Sequence, residues 1–105
     1  MVGEKPGPMN TAVGIAWYRR EQWPRLLEIS ADRSDLEDSY DNWLVHVTEA
    51  FETMRNEGLD PVKVDVDTEE LLAWCRRRNL PVSAKARARY VTEKVQKIYQ
   101  PPPHD

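Results

Sequence analysis

Only two short segments of this chain have the pattern of a β-strand, and a long stretch of mainly helical pattern separates them. The first, Thr11–Tyr18, is an almost continuous apolar run, which is typical of a strand buried on both faces. The second, Val62–Val66, alternates valines with Lys63 and Asp65, as in a strand with one buried face. Because helices connect the two strands, they must run parallel if they pair. A sheet of two strands is only marginally stable, so helices must cover it or a second subunit must extend it.

Hydrophobic periodicity predicts four helices. Ser34 and Glu37 have the spacing of a capping box, which places the start of the longest helix at Ser34. Trp43 lies near the centre of the apolar stripe of this helix, and we expect it to be buried in the core. The predicted helices run from Glu21 or Pro24 to Ser30, from Ser34 to a stop at Gly58, from Thr68 to about Asn79, and from Ser83 to about Tyr99.

The order of these elements predicts an α/β or α+β fold, with four helices on a two-stranded parallel sheet. A chain of 105 residues can bury one modest core, so we expect a single domain over residues 11–99. Residues 1–10 are rich in Gly and Pro, and residues 100–105 contain three prolines in a row, so we expect both segments to form flexible tails.

Several classes of protein are excluded by what the sequence lacks. No apolar run reaches the roughly 18 residues of a membrane-spanning helix, and the first residues contain no apolar core of a secretory signal. Cys75 is the only cysteine, which fits a reducing cytoplasm and a buried structural role. The two histidines, His46 and His104, do not have the spacing of a metal site, and no cofactor motif is present. We therefore expect a cytoplasmic protein without metal or cofactor.

Charge is distributed unevenly along the chain. Residues 1–70 contain 16 acidic and 7 basic residues, whereas residues 71–105 contain 2 acidic and 8 basic residues. The simplest interpretation is that the basic part packs beside the acidic part, within one chain or between two subunits. The alternative is a nucleic-acid-binding surface formed by basic residues of the last two helices, namely Arg76, Arg77, Arg78, Arg87 and Arg89.

Aromatic, basic and acidic residues follow the ends of the two predicted strands. In parallel α/β sheets, ligands bind beyond the carboxyl ends of the strands. Guanidinium groups beside aromatic rings can hold a carboxylate or a phosphate. The candidate anion-binding residues are Trp17, Arg19, Arg20, Trp23, Asp65 and Asp67. The competing interpretation is that the tryptophans belong to the core, that the arginines form ion pairs, and that Asp67 caps a helix.

Two stretches carry a resemblance to other proteins: Gly14-Ile15-Ala16-Trp17-Tyr18-Arg19-Arg20 and Glu69-Glu70-Leu71-Leu72-Ala73-Trp74-Cys75-Arg76. They resemble segments of short uncharacterised bacterial proteins of similar length. The resemblance extends over most of residues 12–99 and implies a bacterial cytoplasmic setting. It implies no activity, cofactor or functional residue.

These observations favour a non-enzymatic protein-interaction or regulatory module that acts as a homodimer. Four tryptophans, four tyrosines and one phenylalanine exceed what so small a core needs, and aromatic residues are frequent interface anchors. The first alternative is a protein or enzyme that binds a small anion at the strand ends. The second is binding of nucleic acid through the basic C-terminal helices.

Overall fold

The computed structural model describes residues 12–99, and the predicted tails, residues 1–10 and 100–105, lie outside this range. The described residues form two strands, four α-helices and two short 3₁₀ turns, at Arg20–Gln22 and Arg33–Asp35. The strands are β1 (Ala12–Trp17) and β2 (Asp60–Asp65); the helices are α1 (Trp23–Ile29), α2 (Tyr40–Asn56), α3 (Thr68–Arg77) and α4 (Ala84–Tyr99). The strands pair in parallel, with Gly14 opposite Val62 and Ala16 opposite Val64. The predicted fold, four helices on a two-stranded parallel sheet, is confirmed.

The sheet is the middle of three layers. Successive residues of β1 face opposite sides. A Cβ atom added to Gly14 would lie 2.4 Å from Val95 Cγ2, so this side of β1 faces α4. On the other side, the ring of Trp17 lies edge-on to the rings of Trp43 and Phe51 in α2, with centroids 5.7 and 6.0 Å apart. Helix α4 therefore covers one face of the sheet, and α2 covers the other.

The core lies on the α4 side of the sheet. There Val64 of β2 is buried and Val62 is partly buried, whereas Lys63 and Asp65 on the opposite side of β2 are exposed, as the alternating pattern predicted. The most deeply buried side chains come from α1, α3 and the end of β2: Leu26, Leu71, Val66 and Cys75. Burial raises the pKa of the Cys75 thiol, which is consistent with a structural role.

Helix α2 begins later than predicted. Its N-cap is Ser39, whose hydroxyl accepts a hydrogen bond from the Asn42 amide, while Ser34 lies in the preceding 3₁₀ turn. The prediction of a capping box at Ser34 and Glu37 is therefore wrong. The backbone carbonyl of Glu37 accepts a hydrogen bond from Trp23 Nε1. This contact joins the segment before α2 to α1. The side chain that caps α2 is that of Ser39, five residues after Ser34.

The expectation that Trp43 is buried in the core is also wrong. Trp43 is half-buried, and none of the residues of α2 is fully buried. Two strands about 5 Å apart make a narrow platform. The apolar stripe of α2 is wider than this platform, so Trp43, Val47 and Met54 remain partly exposed beside the β1 edge.

Strand β1 was expected to be buried on both faces, but all six of its residues are only partly buried. Helices α2 and α4 cover its two faces and do not meet beyond its outer edge. This open edge is the most distinctive surface of the fold.

Candidate functional site

The backbone groups along the outer edge of β1 have no partner strand among residues 12–99. The carbonyl of Trp17 accepts a hydrogen bond from the Val66 amide, so the odd-numbered residues of β1 point their N–H and C=O groups towards β2. The groups of Ala12, Gly14 and Ala16 then point away from β2. Within residues 12–99, no further strand pairs with this edge. At its end, the Tyr18 carbonyl accepts a hydrogen bond from the Tyr40 hydroxyl.

This edge forms the floor of an apolar groove of about 380 Å³ between α2 and α4. One wall comes from α2 and the segment before it, and the other comes from α4. The floor residues are Gly14, Ile15, Ala16 and Tyr18; the walls are Leu36, Trp43, Val47 and Met54 on one side and Ala84, Arg87, Ala88 and Val91 on the other. The groove has the position that the next strand of the sheet would occupy.

Among the described residues that line the groove, Arg87 alone has a formal charge, and this charge is neutralised by Asp32. Both terminal nitrogens of Arg87 donate to the Asp32 carboxylate, at 3.0 and 2.7 Å, and Arg87 also donates to Ser30 Oγ. The side chains of Arg87 and Asp32 are only 10% and 17% exposed. The hydrogen bonds from Arg87 lower the pKa of the Asp32 carboxyl. This pair joins the basic and acidic parts of the chain, as does the contact of Lys94 with Glu70 at 3.6 Å.

The outer edge of β2 has a different chemistry. Because the even-numbered residues of β2 face β1, its outward backbone groups belong to Pro61, Lys63 and Asp65. Pro61 has no N–H to donate, and the Lys63 ammonium lies over the ring of Trp17, 4.4 Å from its centroid. Proline and charged residues at a strand edge discourage pairing with another chain.

The arginines predicted to bind an anion both have carboxylate partners. Arg19 lies 3.6 Å from Asp65 and 4.0 Å from Glu21, and Arg20 lies 2.8 Å from Asp41. Arg20 also lies over the ring of Tyr40. At least half of each arginine side chain is exposed. The two arginines point to different acids and do not converge on one site.

The other members of that cluster have structural roles. Trp23 is buried in the core, and Trp17 packs between α2 and Lys63. Asp67 is the N-cap of α3, where its carboxylate accepts hydrogen bonds from the amides of Glu69 and Glu70. The structure therefore favours the competing interpretation of core tryptophans, ion-paired arginines and a helix cap.

The basic residues proposed for nucleic-acid binding separate into three groups. Arg78 and Arg89 both lie over the ring of Trp74, and Arg77 lines the same shallow depression. Arg76 is exposed and lies close enough to Glu69 to lower the pKa of that carboxyl, after the larger effect of hydrogen bonds from Arg25. Arg87 is buried in its pair with Asp32, so it does not belong to an exposed basic surface.

Apart from Arg87, the groove residues were not among the site residues predicted from the sequence, although a signal for them is present. Small residues occupy every second position of β1, at Ala12, Gly14 and Ala16. In β2 the outward positions hold a proline and two charged residues. This contrast between the strands becomes informative only once it is known which residues of each strand point their backbone N–H and C=O groups outward.

Comparison with known proteins leaves function to be inferred from this geometry. No protein-family model, curated protein or solved structure matches the chain. Among residues 12–99, no three His, Cys, Asp or Glu side chains come together as a possible metal site. Over the same range, no helix has both the length and the apolar character needed to cross a membrane.

Proposed function

We propose that this protein is a non-enzymatic protein-interaction module that works as a homodimer, formed by pairing of the β1 edges of two copies. The observation that carries the proposal is the open edge of β1 between two apolar walls. We place the dimer in a bacterial cytoplasm, in keeping with the resemblance of its two sequence stretches to short bacterial proteins.

Antiparallel pairing about a two-fold axis lets β1 meet itself. The outward N–H and C=O groups of Ala12, Gly14 and Ala16 then bond to the same groups of the second copy, as an isologous interface requires. The product is a four-stranded sheet in the order β2–β1–β1–β2. It relieves the marginal stability of two strands, and both outer edges carry the protected chemistry of β2.

The helices that flank the groove support the same arrangement. A two-fold axis perpendicular to the sheet puts the two α2 helices on one face and the two α4 helices on the other. On α4 the groove side carries Ala84 and Ala88, which are exposed and small enough for a second α4 to approach. On α2 it carries Trp43, Val47 and Met54, which are partly exposed apolar side chains. Aromatic anchors of this kind are typical of interface centres.

The lining of the groove favours binding of a second copy over binding of a charged partner. Within residues 12–97, this lining has no unneutralised charge, although the rest of the chain is dense in charge. Two such grooves meet without like-charge repulsion, and a strongly charged segment finds no counterpart in them. The first alternative, an anion-binding site or active site at the strand ends, is disfavoured because Arg19 and Arg20 are paired with different acids.

Proline substitution at matched edge positions tests the proposal. Ala16→Pro removes an outward amide from β1 without removing a hydrogen bond between β1 and β2. Lys63→Pro does the same for β2. By light scattering at high micromolar concentration, we expect the wild-type chain and Lys63→Pro to be dimers and Ala16→Pro to be a monomer. The dimer should bury at least about 1,000 Å² in total.

A second pair of variants guards against simple misfolding of the proline variants. Ala88→Glu places a charge in the groove wall, whereas Ala73→Glu places one at an exposed position of α3, which takes no part in the groove. Only Ala88→Glu should dissociate the dimer, with the far-ultraviolet circular dichroism unchanged. A monomeric wild-type chain would overturn the proposal. If removal of residues 1–10 then produced a dimer, those residues would be the occupant of the groove.

A further inference from the structure

A basic surface on α3 and α4 takes no part in the groove. It consists of Arg77, Arg78, Lys85, Arg89, Lys94 and Lys97. Two carboxylates lie among these cations: Glu93 contacts Arg78 and Arg89, at 3.5 and 3.7 Å, and Glu70 contacts Lys94 at 3.6 Å. Within the described residues, Arg77, Lys85 and Lys97 have no carboxylate within 4 Å. The surface therefore keeps a strong net positive charge, although the whole chain has a net charge of −3.

The aromatic residues of this surface lie beneath the cations. Trp74 is 6% exposed and Tyr90 is 5% exposed. The Trp74 ring is covered by Arg78, at 4.2 Å from the centroid, and its Nε1 donates to Glu93. The Tyr90 hydroxyl donates to Glu70, and burial followed by the Glu70 charge raises its pKa to about 12. Neither ring can stack on a nucleobase, so the exposed chemistry of this surface is mainly charge.

We infer that the basic surface binds the phosphate backbone of duplex nucleic acid without reading its sequence. Guanidinium and ammonium groups are the usual partners of backbone phosphates, and such contacts carry no sequence information. An interface with an acidic protein would need an apolar centre as well. The apolar residues Leu80, Pro81 and Ala86 lie only at the Lys85 and Arg89 end of this surface, and the large aromatic rings are covered.

The proposed dimer strengthens this inference. Only the expected number of phosphate contacts rests on the dimer. A two-fold axis perpendicular to the sheet places both α4 helices on the same face. The two basic surfaces then lie side by side, opposite the acid-rich α2 helices. Each dimer would contact roughly twice as many phosphates as one chain, which makes its affinity more dependent on salt.

Fluorescence anisotropy with a labelled duplex DNA of mixed sequence, measured over a series of salt concentrations, tests the inference. For the wild-type chain we expect binding at low salt, with log K falling linearly with log salt concentration at a slope of about −0.9 for each phosphate contacted. Arg77→Gln/Lys97→Gln should reduce the size of that slope by roughly four in a dimer and two in a monomer. The control Arg20→Gln/Arg55→Gln removes the same charge from the α2 side and should leave the slope unchanged.

The outcomes separate this inference from the proposed dimer. A dimeric wild-type chain that does not bind DNA, or that binds polyglutamate in preference to DNA, would overturn the inference and leave the dimer intact. Equal loss of binding in the control pair would also overturn it, because only net charge would then matter. If Ala16→Pro is a monomer by light scattering and binds DNA with the wild-type slope, the phosphate surface stands and the side-by-side arrangement of two such surfaces on one DNA fails.

Discussion

The outer edge of β1 presents Ala12, Gly14 and Ala16, whereas the outer edge of β2 presents a proline and two charged residues, Lys63 and Asp65. The β1 edge lies in a groove with apolar walls, while the depression beside the β2 edge is lined by Lys94 and Lys97. One sheet thus has one edge with the usual protection against pairing and one edge without it.

This difference identifies the β1 edge as the part of the sheet that needs a cover or a partner. An unprotected edge strand is an aggregation hazard, and natural proteins block, cover or pair such edges. Strand β2 is blocked by its own residues. For β1, residues of α2 and α4 line the two sides of the edge within residues 12–99, and the proposed pairing of two copies would cover it.

The ion pairs near the two edges should differ most in their contribution to stability. Arg87 and Asp32 form a largely buried, two-pronged pair beside β1, and Arg19 and Asp65 form an exposed pair at the end of β2. Arg87→Met leaves a buried carboxylate unpaired and should reduce the free energy of unfolding by about 3–5 kcal/mol. Arg19→Met should reduce it by no more than about 1 kcal/mol. Urea unfolding at one fixed protein concentration measures both.

The double variant Arg87→Met/Asp32→Leu should recover most of the loss, because no charge is left buried without a partner. Acid provides a second readout. The folded-state pKa of Asp32 is lowered, so its contribution is present above the ordinary carboxyl pKa and is lost as pH falls through the folded value. The difference in stability between wild type and Asp32→Asn should therefore shrink in acid. Equal losses for Arg87→Met and Arg19→Met would contradict the contrast between the two edges.

Substitution of Gly14 tests the packing of β1 beneath α4 without changing the backbone groups of the β1 edge. In Gly14→Ala the new Cβ would lie 2.4 Å from Val95 Cγ2 and 2.7 Å from Val91 Cγ1. Because these valine methyl groups must move, we expect a loss of about 1–3 kcal/mol in the free energy of unfolding. Gly14→Ala/Val95→Ala should remove the clash, and its stability should exceed that expected from adding the two single effects. The dimer should persist in both, since the backbone groups of the edge are unchanged.

The sequence predicts the elements well where local signals agree. The alternating valines of β2, the Asp67 cap of α3 and the length of α4 all match the structure, because each depends on neighbours a few residues apart. Gly58, predicted as the stop after the long helix, has the left-handed φ of 88°. The parallel pairing also follows, because only a parallel sheet fits the long helical connection.

The site is less predictable because it depends on contacts between distant elements. The sequence places Arg76, Arg77, Arg78, Arg87 and Arg89 in one basic set, but Arg87 turns inwards to Asp32, which is far away in the chain. Trp43 has the periodicity of a core residue, yet the two-stranded sheet is too narrow to bury it. Which residues of β1 face outwards depends on the register with β2, and hydrophobicity alone does not specify it.

Loss of the N-cap of α2 should give the smallest effect on stability. Residues of this helix line one wall of the β1 groove. Ser39 accepts a hydrogen bond from the Asn42 amide, whereas Ser34 caps no helix. Ser39→Ala should therefore cost about 1 kcal/mol of stability, as expected for loss of an N-cap. Ser34→Ala, an exposed change outside any cap, should stay within about 0.5 kcal/mol of the wild type. Thermal unfolding of the two variants at equal protein concentration measures the difference. A larger loss for Ser34→Ala would restore the capping box at Ser34 and Glu37, and α2 would then begin at Ser34, as the sequence predicted.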